Sequence, residues 1–482
     1  MTLGGVSNNN NLRPDNLEEK DSMKTKLTLV AFILIISVSF LIPESDYLTV
    51  AGVRTIALIL AFILILLTNP IPLSVSCWVI LALVPLIGVS PNFAVALAGF
   101  ANPVIFFILA SFCISAVFTT LPLSRRILIG LLRRYGRNMR SFLFAFMLCI
   151  LPITAFLSSV PVAATFLAVA LSFLEMFTDE NERKNTGRAF MIAIPVTALL
   201  GGVATPVGST MNLLAINLLE QHTGQTISFV QWMSIGIPIV LLVFPIAWLL
   251  IYRVYKPAEI NSAMVDAFIV KLDVPKKISA AEKKVMIIFS CMIVLWILSS
   301  WVKQIDITVV ALIGACCMFL PGINVLNWNQ FIQKVNFDAI FLVGTVLCLG
   351  IALGRNGVSD WIAMSFSSLQ MSLPVLIAFT VTTVFLILIV MPVGPSVVIF
   401  LAAPLITLAQ TLDVNPELII IALAMSAGNC YLLPLDTIPL ITYSTGYYSM
   451  TDMPKSTLPL QIYVVVIITT VLSFYSIVLQ II

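Results

Sequence analysis

Apolar runs with the length of membrane-spanning helices occupy most of the chain and are separated by short polar stretches. A helix that crosses a bilayer needs about 20 predominantly apolar residues. Such runs lie near 27–43, 50–68, 74–90, 103–120, 189–220, 231–252, 286–302, 307–320, 338–354, 417–446 and 459–481. The pattern therefore predicts an all-α polytopic membrane protein with about 11 transmembrane helices.

Two further apolar stretches, 142–176 and 374–411, are interrupted by serine, glycine and proline. The interruptions are Ser158-Ser159-Val160-Pro161 and Pro392-Val393-Gly394-Pro395-Ser396. Non-helical backbone at membrane depth is tolerated only where protein or a water-filled cavity surrounds it. We therefore expect each stretch to form a re-entrant helical hairpin rather than a straight span.

Two of the predicted spans are themselves broken by proline and glycine. In 189–220 the break runs from Gly201 to Asn212, and in 417–446 it runs from Leu433 to Pro439. Such breaks free backbone groups that lipid cannot satisfy, so they persist only beside a cavity or a ligand. Breaks at corresponding places in two halves of a chain point to the binding site of a secondary transporter.

Basic residues predict how the chain is oriented. The stretch 121–141 carries six arginines and no acid, and the stretch 253–285 carries seven basic residues against four acids. Loops rich in lysine and arginine remain in the cytoplasm. The segments then arrange as a disordered cytoplasmic tail (1–25), a first transmembrane helix (26–49) and a cytoplasmic linker (253–285). The N-terminus is predicted inside and the C-terminus outside.

The same order of elements occurs twice, in 50–252 and in 286–482. Each unit contains three spans, a hairpin, a broken span and a final span. Because the spans before the two units run in opposite senses, the units form an inverted-topology repeat.

Composition excludes several classes of protein. The chain is 60% hydrophobic and 10% charged, whereas soluble domains carry about 25% charged residues. A membrane enzyme needs a nucleophile–base pair or metal ligands at depth, which one histidine and one isolated aspartate do not supply. A channel usually shows a repeated selectivity element, and none is evident. We expect no cofactor, no certain metal site and no nucleic-acid partner, and we expect a multi-pass protein of the plasma membrane.

The four interruptions supply the candidate site. Helix N-termini at the breaks and hairpin tips suit an anion, while hydroxyls and unwound carbonyls suit a hard cation such as sodium. The candidate substrate residues are Ser158, Ser159, Ser209, Thr210, Asn212, Gly394, Pro395, Ser396, Thr437 and Pro439. The candidates for coupling to a cation or proton are Thr205, Gly208 and Asp436.

Asp436 has three interpretations. A carboxylate near the middle of a bilayer is costly and marks function by default. It is a replacement ligand for a cation, a proton carrier, or a structural partner of N–H groups that the break sets free. The sequence leaves all three open.

The chain also resembles the family of divalent anion/sodium symporters. The resemblance rests on the stretch from Gly201 to Asn212 with Ile227-Ser228-Phe229-Val230-Gln231-Trp232-Met233 after it. It also rests on Val414-Asn415-Pro416, Leu433-Pro434, Thr437, Pro439 and Tyr443-Ser444-Thr445-Gly446-Tyr447. It implies an elevator-type carrier of dicarboxylates, citrate or sulfate, usually a homodimer in the lipid bilayer.

The hairpin tips depart from that family's pattern. Family members carry Ser-Asn-Thr at both tips, and the asparagines help to enclose sodium. The matching positions here are Ser158-Ser159-Val160 and Gly394-Pro395-Ser396. We therefore expect a carrier of C4 or C5 dicarboxylates in which exchange is supported at least as well as sodium symport. The alternative is a sodium- or proton-coupled symporter, or a cation/proton antiporter, that uses Asp436.

Overall fold

The computed structural model describes residues 14–44, 48–367, 371–429 and 431–481, and its regular elements are helices. The first are α1 (Pro14–Ser39), α2 (Val50–Thr68), α3 (Leu73–Leu86), α4 (Phe93–Ala96), α5 (Pro103–Thr120), α6 (Leu123–Tyr135), α7 (Met139–Thr154), α8 (Ser159–Leu174), α9 (Glu180–Gly202), α10 (Thr210–Thr223) and α11 (Phe229–Tyr255). The others are α12 (Ser262–Lys271), α13 (Ala280–Leu298), α14 (Ile307–Cys317), α15 (Trp328–Ile332), α16 (Phe337–Arg355), α17 (Val358–Ser367), α18 (Leu373–Val390), α19 (Gly394–Thr411), α20 (Pro416–Ala427), α21 (Thr437–Tyr443) and α22 (Pro454–Ile481).

In the described part of the chain, seven helices are long and apolar enough to cross a membrane. They are α2, α5, α11, α16, α18, α19 and α22. Shorter apolar helices accompany them, among them both halves of the first hairpin. The prediction of an all-α polytopic membrane protein is confirmed.

The start of the chain differs from the predicted tail. Residues 1–13 lie outside the described residues, but residues 14–25 form the first turns of α1. Proline is favoured in the first turn of a helix, and the leucine, glutamates and lysines after it have high helix propensity. The predicted tail 1–25 therefore overlaps the helix.

Both interrupted stretches are pairs of helices. Residues 155–158 separate α7 from α8, and residues 391–393 separate α18 from α19. Away from the first tip, Phe142 of α7 stacks on Phe173 of α8 with ring centroids 4.4 Å apart. Phe190 of α9 and Phe268 of α12 contact both rings, so the aromatic cluster fixes the hairpin against the broken helix.

Two helices that the sequence did not predict occupy matching places. α6 lies in the arginine-rich stretch before the first hairpin, and α17 lies before the second. α6 buries Leu128 and Leu132 and exposes arginines, as an amphipathic helix does. With them, the order of elements from α2 to α11 is the same as that from α13 to α22.

The halves of the broken helices pack crosswise. α10 lies against α19 and α20, and α21 lies against α8 and α9. The second half of each broken helix thus contacts the hairpin of the other unit and the first half of that unit's broken helix. This exchange brings the two breaks and the two hairpin tips to one region of the molecule.

Candidate functional site

Close backbone packing holds the first break. A single 3-10 turn, Pro206–Gly208, connects α9 to α10. A Cβ atom on Gly208 would lie 2.6 Å from the carbonyl oxygen of Gly202 and 2.8 Å from that of Ala155. Position 208 therefore requires glycine, because both neighbours are backbone atoms.

Two side chains at the break donate hydrogen bonds to nearby backbone carbonyls. The Asn212 Nδ2 group donates to the carbonyl oxygens of Gly202 (2.9 Å) and Thr205 (2.8 Å). The Thr205 hydroxyl donates to the carbonyl of Ala155, next to the first hairpin tip. Asn212 and Thr205 are buried. Specific hydrogen bonds thus order the break, which distinguishes it from a frayed helix end.

The first hairpin tip lies on this break. The Ser159 hydroxyl donates to the carbonyl of Ala198 in α9 at 3.0 Å. The same oxygen would be 3.4 Å from a Cβ on Gly202. Ser158, at the N-cap position of α8, is half-buried and makes no side-chain capping bond.

The second hairpin tip reaches the first break from the other side. A Cβ on Gly394 would fall against the Met211 methyl group, closer than real Cβ atoms approach, and 3.1 Å from the Ala427 carbonyl oxygen. Ser209 faces the same region, because its hydroxyl would be 3.7 Å from a Cβ on Gly428. α10, α19 and the end of α20 therefore meet at the predicted residues.

Within α19, Pro395 occupies the first turn and Ser396 is fully buried. The Ser396 hydroxyl has no hydrogen-bond partner in the described part of the protein. On the facing helix, Thr210 is half-buried at the first position of α10.

The second break is more exposed. Asp436 is partly exposed and accepts a 2.7 Å hydrogen bond from the backbone N–H of Thr437, at the N-cap of α21. Thr437 is exposed, while Pro439 is buried and its carbonyl accepts from the Tyr448 hydroxyl at 3.0 Å. The structure joins this break to the other site residues through the packing of α21 on α8 and α9.

A family model described as the sodium:sulfate symporter transmembrane region matches residues 23–482. The chain belongs to this family. Membership makes it a membrane transporter, and the family is one of transporters rather than enzymes. The predicted relation to divalent anion/sodium symporters is confirmed.

Curated proteins similar to this family member cover most of its length. One from Staphylococcus saprophyticus, named sodium-dependent dicarboxylate transporter SdcS, is 23% identical over 92% of this chain and 89% of its own length. A protein of the same name from Staphylococcus aureus is 24% identical over 89% and 86%. A protein from Cupriavidus necator, named only as a membrane protein, is 24% identical over 85% and 84%.

Two solved transporters share the fold of this symporter-family chain. The YdaH transporter of Alcanivorax borkumensis aligns with a TM-score of 0.54 and 13% identity over 94% of this chain and 98% of its own. MtrF of Neisseria gonorrhoeae, described with antimetabolite efflux pumps, aligns with a TM-score of 0.55 and 10% identity over 93% and 94%. At these identities the likeness concerns the fold alone.

Sequence reasoning missed Asn429 in this family member. The helix before the second break ends at Ala427, so the break begins at Gly428 rather than at Leu433. Asn429 is fully buried, and its Nδ2 group donates to the Met425 carbonyl at 2.8 Å. The signal was the small, polar run from Ser426 to Asn429, which follows a continuous apolar stretch. Its neighbour Cys430 lies outside the described residues.

Hard cations bind oxygen atoms, and three buried side-chain oxygens near the breaks lack hydrogen-bond partners among the described residues. They are Asn212 Oδ1, Asn429 Oδ1 and Ser396 Oγ. Over the same ranges, no group of three or more His, Cys, Asp or Glu side chains is placed to hold a metal ion. A cation bound by these three atoms would be held by neutral oxygens.

A polar cluster anchors the start of α9. Asp452, nearly fully buried, lies 2.7 Å from the Lys455 ammonium and 3.7 Å from the Arg188 guanidinium, and its carbonyl accepts from the Tyr255 hydroxyl at 2.8 Å. Burial by itself would raise the pKa of Asp452, but hydrogen bonds from Lys455 and Ser449 outweigh it and lower that pKa. The cluster joins α9 to α11 and to the loop before α22.

Proposed function

We propose that this chain is a secondary active transporter of small divalent anions, with C4 and C5 dicarboxylates as its substrates, in the plasma membrane. The observation that carries the proposal is the meeting of α10 and α19 at the contact between Met211 and Gly394. Both helices begin there, so their positive dipole ends lie close together. Two such helix starts suit the two carboxylates of one substrate. The names of the staphylococcal relatives agree with this substrate class.

The proposed mechanism is of the elevator type. The hairpins and broken helices form one crosswise unit, which would move as a body against the remaining helices, with two chains in a homodimer. The exchange of partners between the units, α10 on α19 and α21 on α8, supports this division. The N-terminus would lie in the cytoplasm and the C-terminus outside.

Coupling has two candidates, each with its own observation. The absence of asparagine at both hairpin tips favours exchange of internal for external dicarboxylate. The relatives named sodium-dependent favour sodium symport, and neutral oxygens of Asn212 and Asn429 are present to serve it.

Proteoliposomes test the proposal. Uptake of radiolabelled succinate is measured with and without internal dicarboxylate, at several sodium concentrations and pH values. Exchange requires internal substrate and is indifferent to sodium, whereas symport needs sodium and no internal substrate. If no dicarboxylate enters under any of these conditions, the proposed substrate class is wrong.

A further inference from the structure

Met211 lies between the first break and the second hairpin. It is the second residue of α10 and is half-buried. Its methyl group rests against the backbone of Gly394, the first residue of α19, and its Cγ would be 3.4 Å from a Cβ at that position. A long apolar side chain therefore stands at the point where two helix starts converge.

The sulfur of Met211 also engages the residue that precedes α10. The Ser209 hydroxyl donates to Met211 Sδ at 3.2 Å. A thioether is a weak acceptor, so an oxygen of a bound anion would compete for this donor. Met211 thus occupies space beside Ser209 and turns its hydroxyl along the start of α10.

The backbone around Met211 is closely packed and leaves little room to move. Gly394 is in close contact with the Met211 side chain and with the Ala427 carbonyl oxygen. The helices α10, α19 and α20 pack on one another along their lengths. Met211, unbranched and flexible, is the adjustable part of this junction.

We propose that Met211 is a specificity-determining residue that limits the length of the dicarboxylate. The inference rests on the proposed function, because the substrate is taken to place its carboxylates at the starts of α10 and α19. The Met211 side chain then fills part of the space available to the carbon chain between them. Truncation to alanine removes Cγ, Sδ and Cε and leaves room for a longer chain.

The test compares Met211→Ala with Met211→Leu, which keeps most of the volume. Purified proteins in proteoliposomes are offered four-, five- and six-carbon saturated dicarboxylates, and the ratio of six-carbon to four-carbon uptake is measured. One methylene in an apolar pocket is worth roughly 10- to 200-fold in discrimination. We expect Met211→Ala to raise the ratio about tenfold, at the lower end of that range, and Met211→Leu to leave it nearly unchanged.

The ratio separates selectivity from packing. If Met211→Ala lowers uptake of every chain length in parallel, Met211 is a packing residue only and the inference is overturned. Met211→Val, whose side chain is shorter than that of methionine and bulkier than that of alanine, serves if the alanine variant does not fold, and an unchanged ratio for it would equally overturn the inference. A wild-type protein that carries no member of the series would overturn the proposed function together with this inference.

Discussion

The side-chain amide of Asn102 donates a 2.6 Å hydrogen bond to the side-chain oxygen of Asn217 and so joins α5 to α10. Asn102 is nearly fully buried, and its own Oδ1 caps α5 by accepting from the Val104 N–H at 2.9 Å. The exposed Gln221 amide donates to the same Asn217 oxygen at 2.9 Å. One acceptor therefore serves two amides in very different surroundings.

Asn217→Ala leaves the buried Asn102 amide without a partner. An unpaired buried donor costs about 1–3 kcal/mol, so the unfolding midpoint in detergent should fall. Gln221→Ala is the matched control, because it removes the exposed donor to the same oxygen and should change the midpoint little. Equal effects of the two substitutions would show that the buried bond does not stabilise the protein.

Gly208→Ala tests the packing of the first break. A Cβ there would collide with the carbonyl oxygens of Gly202 and Ala155, and such overpacking costs about 1–3 kcal/mol. We expect lower thermal stability and a large loss of dicarboxylate uptake. Gly130→Ala on α6, where a Cβ meets nothing within 4 Å, is the control and should stabilise its helix slightly. Normal uptake by the Gly208→Ala protein would contradict this account of the break.

The hairpins and breaks could be predicted because they depend on local chemistry. Pro206, Gly394 and Pro434 interrupt apolar runs whatever the tertiary structure, and the helices end or begin near them. The extent of the second break could not be predicted in the same way. No proline marks its start, because α20 ends at Ala427, and the small, polar run from Ser426 to Asn429 is a weaker signal than proline.

The partners of the site side chains required the structure. That Asn212 donates to carbonyls of Gly202 and Thr205 depends on how the 3-10 turn folds back. The contact of Met211 with Gly394 depends on the crosswise packing of the two units. The hydrogen bond from the Thr437 N–H to Asp436 is local, and a structural partner of N–H groups that the break sets free is one of the three interpretations that the sequence leaves open.

Glu282 gives a pH prediction outside the membrane spans. It is nearly fully buried at the start of α13 and lies 2.5 Å from the Arg126 guanidinium of α6. The hydrogen bond from Arg126 lowers the pKa of Glu282 to about 2, although burial opposes it. Because the folded-state pKa lies below the unfolded value, the stabilisation is complete above pH of about 4.5. It is lost as the pH falls towards about 2.

Glu282→Gln should therefore destabilise the protein at neutral pH and flatten its loss of stability between about pH 5 and pH 3. Loss of one partner from a largely buried pair costs up to about 3–5 kcal/mol, and less here because Arg126 is partly exposed. Unfolding in detergent across this pH range measures both effects. Glu175→Gln breaks a pair with Lys271 that also lowers the pKa of Glu175. Because water surrounds this exposed pair, the substitution should change the pH profile much less. If wild type and Glu282→Gln show the same dependence of stability on pH, the lowered pKa of Glu282 does not stabilise the protein.

Substitutions of Asp436 distinguish a helix-capping role of this carboxylate from a role in coupling. Its hydrogen bond to the Thr437 N–H is one that asparagine can also make, since both residues are good N-caps. If the carboxylate only caps α21, Asp436→Asn should keep dicarboxylate uptake with unchanged sodium and pH dependence, whereas Asp436→Ala should lose about 1 kcal/mol of stability. Uptake and sodium/proton exchange are measured in the same proteoliposomes. If Asp436→Asn abolishes the sodium or pH dependence while the protein remains folded, the carboxylate carries the coupling ion.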